Sequence, residues 1–550
     1  MKILDKDLSP FDLRKEQKEC IDFIFENLSL KPHKKFFLLD LPTGVGKSIL
    51  ALKFIQKYLK EIDSDSKFDI LTESKLLQRQ YTEEFNSISN LWGRNSYQCN
   101  QYEANCDQGK EYQKLTKEKC DNCPYEKDRE QFFGGRISLT NFHMFTLMRI
   151  NEIFKRRESN VLIVDEAHQL ESVVSDFISV TLSETNLKKF KFKNEKDLIR
   201  SLKRIKTIEK FSQFVSNKLL NEVESKLQEL SKNTKNSNNI KLKRDIKVNE
   251  ILGTESNQVS ELKLLKSLTS LQSKILNFLE EYNNDNENWV VEYEYDDKKK
   301  FKIKAQPIWA YPFFDKYIWK GYDKVILMSG TILNREMFSY LNGIPEPVCE
   351  YYSIESPFKP KNRPIYYIPS GKMSYKTKQD TLKVIKPILG KLLKKYENKK
   401  GIIHTVSFDL QNWTIENLKN DRLLGHDSDQ KSKNFAIKQH YTSDKPTILV
   451  SPSMGTGIDL KDDLARFQIC LKVPYPSLAD SKNKKRLKDK PEWYAWTTVS
   501  KFIQMYGRAV RSSSDYSHFI ILDSCFSDVL NYSSKFIPKW IKNSIKRVDL

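Results

Sequence analysis

An apolar run, "FFLLD", passes through "LPTGVGKS" into a segment, "ILALKFIQKYLK", whose apolar residues recur three and four positions apart. The order strand, glycine-bearing turn, amphipathic helix constrains the fold more than any other feature of the chain. A strand with no polar alternation is buried on both faces, as in a parallel sheet covered by helices. Gly44 and Gly46 let the backbone approach a phosphate, so that the amides of Thr43 to Lys47 and the helix N-terminus can bind it. In this reading Lys47 reaches the β- and γ-phosphates of ATP and the Ser48 hydroxyl ligates Mg2+. The usual phosphate-loop pattern has a glycine where Leu41 stands, so this is a variant loop with Pro42 and Thr43 in the turn and Val45 between the glycines.

The same texture returns along the chain. "FDILTESK", "NVLIVDEAHQLE" and "DKVILMSGTIL" are apolar strands with polar tips, and a second set follows at "KGIIHTVSFD", "PTILVSPSMGTGIDL", "FQICLKVPYP" and "HFIILDSCF". The fold class predicted is α/β, two parallel-sheet domains with functional groups at the carboxyl ends of strands. At 550 residues there is length for three or four domains of roughly 150 residues. Residues 171–305 read differently: helical periodicity, a polar tract "SKNTKNSNNIKLKRD", and "NWVVEYEYDDKKKFKIKA", expected to be a β-hairpin turning at Asp296-Asp297 and returning to the first sheet.

Two further motifs complete a nucleotide site. In "VLIVDEAH", Asp165 at a strand tip can hold magnesium through a water, and Glu166 can orient and deprotonate the attacking water. In "QMYGRAVR", Arg508 and Arg511 are expected one turn apart on one helix, where a basic group from a second domain can stabilise charge on the γ-phosphoryl group.

The net charge of +21 points to a polyanionic partner. No run approaches the roughly 18 to 20 apolar residues of a membrane span, and the N-terminus lacks a secretory apolar core, so a soluble intracellular protein is expected, not a secreted one. Of eight cysteines, Cys99, Cys106, Cys120 and Cys123 fall within 25 residues, spaced C-x6-C-x13-C-x2-C. In a reducing compartment that clustering argues for metal, and thiolates suit both zinc and iron–sulfur.

In this order, "RKEQ", "ILTESKLLQRQYTEEF", "MSGTIL", "PSMGTGIDL" and "QMYGRAVR" resemble the successive motifs of a superfamily 2 helicase with two RecA-like domains. The cysteine placement and its flanks, "GRNSYQC" and "CPYEKDREQFFGGRISLTNFHMF", are similar to the iron–sulfur helicases of the DinG/XPD type. The resemblance implies RecA-like domain 1 over 1–93, 137–170 and 306–360, an iron–sulfur insertion over 94–136, a helical arch over 171–305 and RecA-like domain 2 over 361–550. It implies a [4Fe–4S] cluster on the four cysteines, Gln17 against the nucleotide base, and Ser329-Gly330-Thr331 coupling hydrolysis to domain movement. Asp459 and Gln504 would line the ATP cleft. Translocation 5′ to 3′ on single-stranded DNA and at forks, as a monomer, is expected, with a duplex translocase, an RNA remodeller or an ATP-switched binding protein as alternatives. The compartment would be the cytoplasm or nucleoid in a prokaryotic or viral setting and the nucleus in a eukaryote. Candidate DNA contacts are Arg94 and Tyr97, Arg136, the loop "SKNKKRLKDK" at 481–490, and Leu187 to Lys210 as a pore wall, with ten basic residues against three acidic. The sequence departs from the family at Thr456, where a glutamate is usual, and at "HTVSF".

Overall fold

The computed structural model describes residues 2–102, 104–116, 120–150, 157–235, 257–295, 300–453, 458–512 and 514–548. The first sheet is built from β1 (Phe36–Asp40), β2 (Phe68–Thr72), β3 (Ser89–Asn90), β4 (Ile137–Asn141) and β5 (Val161–Asp165), closed much later in the chain by β9 (Lys324–Ser329) and β10 (Cys349–Ser353). Its order is β10-β1-β9-β5-β2-β4-β3, every pairing parallel. Of the five interior strands, β1, β2, β4 and β5 are buried at every position and β9 at all but its first. In the register, Asp40 stands opposite Ser329 and Asp165 opposite Met328. Parallel pairing thus brings the polar tips of β1, β5 and β9 to one edge, and the site is built there.

Between β5 and β9 lies the insertion. It contains β6 (Val180–Ser183), β7 (Trp289–Tyr295) and β8 (Phe301–Pro307), helices Glu184–Phe190 and Glu195–Arg204, and a long helix, Asn257–Asn284. The expected hairpin forms, but it does not join the first sheet. Strands β7 and β8 pair antiparallel with each other, and β8 pairs with β6, making a separate three-stranded sheet. The reason is in the side chains: Trp289 and Ile303 pack into the insertion's own core with Phe278 and Phe211. The Asp296-Asp297 turn and the polar tract beyond Lys235 lie outside the described residues.

The second domain repeats the first. Strands β11 (Ile365–Tyr367), β12 (Gly401–His404), β13 (Leu423–Leu424), β14 (Ile448–Ser451), β15 (Phe467–Cys470), β16 (His518–Ile521) and β17 (Ile545–Arg547) pair in parallel in the order β13-β14-β12-β15-β16-β11-β17. The segment 481–490, expected as a basic loop, is a helix, Ser481–Asp489, capped by the Asp480 carboxylate. Three of its basic side chains are engaged with the segment between β5 and β9: Lys482 donates to Ser175 Oγ at 2.5 Å, Lys485 reaches the Trp289 carbonyl at 3.5 Å, and Arg486 pairs with Glu171. Among the described residues, no helix is long and apolar enough to cross a membrane.

Candidate active site

The phosphate loop joins β1 to the helix Lys47–Glu61, which buries Leu50, Leu52, Phe54 and Ile55 against the sheet. Gly46 caps that helix in the left-handed region, with φ +84° and ψ 51°. Gly44 has the same positive φ, and a Cβ there would lie 2.3 Å from the Phe358 ring. Only glycine meets both demands, the backbone angle and the contact.

The loop opens into a cleft of about 310 Å3 between the two domains. From domain 1, Thr43, Gly44, Gly46, Lys47, Ser48, Asp165 and Glu166 line it. Asp459, Gln504, Arg508 and Arg511 line it from domain 2. Three separated motifs therefore meet around one space. Val45 is buried beneath the loop, 2% exposed. Gln17 stands behind it: its amide donates to the Val45 and Gly46 carbonyls at 2.9 and 3.2 Å, while its own oxygen accepts from the Arg14 amide at 2.8 Å. Its contacts are with loop backbone.

Lys47 Nζ lies 2.8 Å from Glu166 Oε1. Burial disfavours the ammonium, but Glu166 and Asp165 outweigh burial and hold its pKa above the ordinary lysine value. Burial pushes the Asp165 carboxyl up to about 6, against the pull of Lys47 and helped by the like charge of Glu166. Glu166 goes the other way: burial would raise it, yet Lys47 and His168 hold it well below the usual carboxylate range. The two adjacent carboxyls are thus pushed in opposite directions, Asp165 up by burial and Glu166 down by Lys47 and His168. Asp165 Oδ2 accepts from the Tyr81 hydroxyl at 3.2 Å, and Oδ1 accepts from the Glu166 amide at 2.9 Å. Ser48 and Asp165 are the groups that would hold Mg2+. Glu166 adopts φ 54° and ψ 45°, a left-handed conformation uncommon outside glycine.

A polar chain leaves Glu166 and crosses to domain 2. His168 Nδ1 is 3.4 Å from Glu166 Oε2 and 2.9 Å from Ser329 Oγ. Ser329 Oγ accepts from the Thr331 amide at 3.1 Å, and Gln504 donates to Thr331 Oγ1 at 3.4 Å. Sequence reasoning named Ser329, Thr331 and Gln504 but missed His168 and Tyr81, although both stand inside quoted motifs, "DEAH" and "QRQYTEEF".

Arg508 and Arg511 do not share a helix, as the spacing predicts. The helix Pro491–Tyr506 stops at Gly507, and both arginines lie in the turn beyond it. Arg508 donates to the carbonyls of Gln504 and Ile458 at 3.1 and 3.0 Å, and burial, then Arg511, lower its pKa to about 10. Arg511 Nε is held by Asp459 Oδ1 at 2.7 Å. Thr456 lies outside the described residues.

The four cysteines of the insertion converge. Cys106 Sγ and Cys123 Sγ are 3.9 Å apart, and Cys120 lies against Cys99 and Cys123. Gly109 makes room for Cys99, since a Cβ there would meet its Sγ at 2.5 Å. Burial and the neighbouring Cys123 push the Cys106 thiol up to about 11, with Arg94 opposing them. Among the described residues no set of three or more side chains already surrounds one point at ligand distance. The donor set, two buried and two half-buried thiols side by side, suits a thiolate-held inorganic centre, whose cation would replace the thiol protons. Arg94 sits over the Tyr125 ring at 3.8 Å and donates to Glu126 at 2.8 Å. Tyr97 packs on Tyr125, and its hydroxyl accepts from the Trp92 amide at 3.1 Å. Both are engaged within the insertion, whereas the Arg136 side chain is 44% exposed.

Residues 390–544 match the helicase C-terminal domain family, and residues 10–193 match the family described as type III restriction enzyme, res subunit. A probable ATP-dependent helicase of Methanocaldococcus jannaschii is 21% identical across 94% of this chain and 92% of its own length. A regulator of telomere elongation helicase 1 homolog of Caenorhabditis briggsae is 26% identical over 112 residues, 18% of this chain and 11% of that protein. Among solved structures, an XPD helicase superposes with a TM-score of 0.64 at 16% identity, covering 98% of this chain and 100% of that one. Xpd4 of S. tokodaii gives 0.56 at 13% identity, covering 97% and 100%. Two parallel-sheet lobes, helicase motifs meeting in the cleft between them, and family matches on each lobe give one conclusion: the chain is an ATP-dependent helicase with the two-lobed fold of the XPD structures.

Proposed function

We propose that the protein unwinds DNA, moving 5′ to 3′ on a single strand, with an inorganic centre on Cys99, Cys106, Cys120 and Cys123 stiffening the element beside the strand. The observation that carries the reading is the convergence of four thiols on an insertion that emerges between β3 and β4 of the ATP-binding lobe. An insertion of about 40 residues rarely folds alone without such a staple. A [4Fe–4S] cluster, when bound, supplies rigidity and electron-transfer capacity on those thiolates.

The chain's own residues account for the ATPase cycle. Loop amides and Lys47 bind the triphosphate, Glu166 orients the water and takes its proton, and Arg508 and Arg511 meet the charge on the γ-phosphoryl group. Arg511 is poised for this by Asp459, which holds its guanidinium until a more concentrated negative charge enters the cleft. The chain from Glu166 through His168, Ser329 and Thr331 to Gln504 ties the state of the reacting end to the position of domain 2.

Support for a nucleic-acid path comes from an opening of about 680 Å3 between the insertion helices and the cysteine-bearing segment. Lys189, Lys263, Lys266 and Lys274 line it, together with Asn105, Gln108 and Asp107, whose carboxylate accepts from Lys266 at 2.5 Å. Lys189 belongs to the stretch expected as a pore wall, while its neighbours Lys188 and Lys203 are spent on Glu184. Arg136 remains the accessible candidate for a phosphate contact.

A second reading of the metal has its own observation. A tetrahedral ion with thiolate bonds near 2.3 Å sets its sulfurs about 3.8 Å apart, close to the Cys106–Cys123 spacing of 3.9 Å. Zinc on the same thiols would stiffen the segment equally. Anaerobic purification with a visible spectrum and iron and zinc counts separates the two. Strand displacement on 5′- and 3′-tailed DNA and RNA substrates, run on the same sample, tests substrate and polarity. A metal-free protein whose ATP turnover ignores single-stranded DNA overturns the proposal.

A further inference from the structure

Glu166 stands in a strained left-handed backbone conformation that persists only where its surroundings hold it. On its N-terminal side β5 does so, pinned between β2 and β9. On its C-terminal side the chain makes one 3-10 turn, Ala167–Gln169, and enters the helix Leu170–Ile178. The first turn of that helix carries Glu171. The Ala310 backbone holds Glu171 from its own side, and the charged partners that hold it come from the other domain. Arg486 Nη2 donates to Glu171 Oε1 at 2.5 Å, Nη1 reaches Oε2 at 3.4 Å, and Nε donates to the Ile308 carbonyl at 2.5 Å. The guanidinium lies in the corner formed by the perpendicular rings of Trp309 and Trp493, at 4.7 and 5.1 Å, and Arg486 is 3% exposed. One turn further along, Lys482 donates to Ser175 of the same helix.

We propose that Arg486 is a positioning residue for ATP hydrolysis: by gripping Glu171 across the domain boundary, it fixes the helix that follows the DEAH turn and so the carboxylate of Glu166. The inference rests on reading Glu166 as the group that orients the water. A buried ion pair is replaceable by well-packed apolar groups with little loss of stability, so its distinct contribution is geometric. A planar fork on a carboxylate fixes angle as well as distance, and the two indoles keep the fork from rotating. Because the grip spans both domains, it ties the placement of the Glu166 carboxylate to domain 2.

The test is steady-state ATP turnover of the full-length protein with single-stranded DNA present. Arg486→Met and Glu171→Leu are each expected to lower kcat ten- to a hundredfold, with KM for ATP within twofold, the scale set by about 1 Å of misplacement at a reacting group. The double variant is expected to be no slower than the slower single, since both remove one link. Arg486→Lys keeps the charge without the fork and should fall between. Arg422→Met is the control for lost stability alone: Arg422 ties the carbonyls of Pro446, Leu393, Tyr396 and Lys399 together within domain 2. It should lower the melting temperature and leave kcat unchanged. Unchanged kcat in Arg486→Met below its melting temperature, an equal loss in Arg422→Met, or a loss confined to KM would each overturn the inference. If Arg486→Met does not fold, Glu171→Gln, which keeps shape and loses charge, is judged by the same criteria. Glu166→Gln isolates the underlying reading: if it still turns over ATP, the role given to Glu166 fails irrespective of Arg486.

Discussion

Replacing Arg157 by methionine should cost the protein about 3 to 5 kcal/mol and loosen the cysteine-bearing segment first. The guanidinium is fully buried just before β5, and its Nε donates to Asp69 Oδ1 at 2.6 Å. Nη1 donates to the carbonyls of Phe132 at 2.9 Å, Phe133 at 3.3 Å and Gly135 at 2.6 Å, and Nη2 to that of Phe68 at 3.0 Å. It therefore fastens the C-terminal end of the helix Pro124–Gly134, which leads out of the insertion, to β2 of the sheet. Five net hydrogen bonds at about 1 kcal/mol each would give about 5 kcal/mol. The Phe132 carbonyl keeps a bond from Ser138 Oγ and Asp69 keeps one from the Tyr322 hydroxyl, which pulls the figure down. The bare Asp69 carboxylate, 1% exposed, pulls it back up. Urea unfolding followed by tryptophan fluorescence, with metal release and proteolysis of residues 100–135 measured in parallel, reads both effects. The companion variant Arg157→Met/Asp69→Leu should recover part of the loss, because no charge is left stranded. A loss below about 1 kcal/mol for the single variant, or a double variant worse than the sum of its parts, would refute the reasoning.

Gly44→Ala should abolish binding of a fluorescent ATP analogue, since φ +84° and a contact of 2.3 Å to Phe358 both forbid the side chain; retained affinity would contradict this account of the loop. Cys106→Ser should empty the insertion of metal, read as iron and zinc per chain, while ATP turnover without DNA persists; full metal occupancy would remove Cys106 from the ligand set. Burial holds His404 and His440 neutral, lowering each to about 4, and the unfolded chain takes up its proton near 6.5. Domain 2 should therefore lose stability as pH falls from about 6.5 toward 4, by up to about 3 kcal/mol per histidine, and denaturation midpoints at pH 7.5 and 5 check it.

Much of the site was legible because short motifs carry their own geometry. A loop of alternating glycines needs no tertiary information to be read, and the DEAH and QMYGRAVR segments mark strand and helix ends by composition. What failed to show was pairing at a distance. The hairpin at 289–307 alternates correctly, but nothing local says that β8 will choose β6 rather than the large sheet. Basic residues at 481–490 read as a free surface because Glu171 and Ser175, which absorb Arg486 and Lys482, lie about 300 positions earlier. The two arginines of QMYGRAVR were put on one helix because helical spacing was extended past Gly507, where the helix stops. Gln17, which the resemblance places against the nucleotide base, also donates to the carbonyls of the loop that would hold the phosphates, a contact that no local pattern announces.

The two sides of the domain boundary differ in chemistry, and that difference says which side can open. Across the nucleotide cleft the direct tie is a 3.4 Å hydrogen bond from Gln504 to Thr331, and Arg511 is satisfied within its own domain by Asp459. Across the other side, Trp496 donates to the Ile332 carbonyl at 2.9 Å, Trp309 meets Trp493 edge-on at 6.2 Å, and Lys490 sits over Tyr340 at 4.1 Å. Trp309, Trp493 and Trp496 are all under 9% exposed. Parting those rings would return several hundred Å2 of apolar surface to water, at about 25 cal/mol per Å2, so separation there costs several kcal/mol. Parting the cleft breaks the Gln504–Thr331 hydrogen bond, on the order of 1 kcal/mol, and separates charges that water can reach. Lobe motion driven by ATP therefore pivots about the tryptophan side, and Arg486, placed at the pivot, keeps its hold on Glu171 while the cleft breathes.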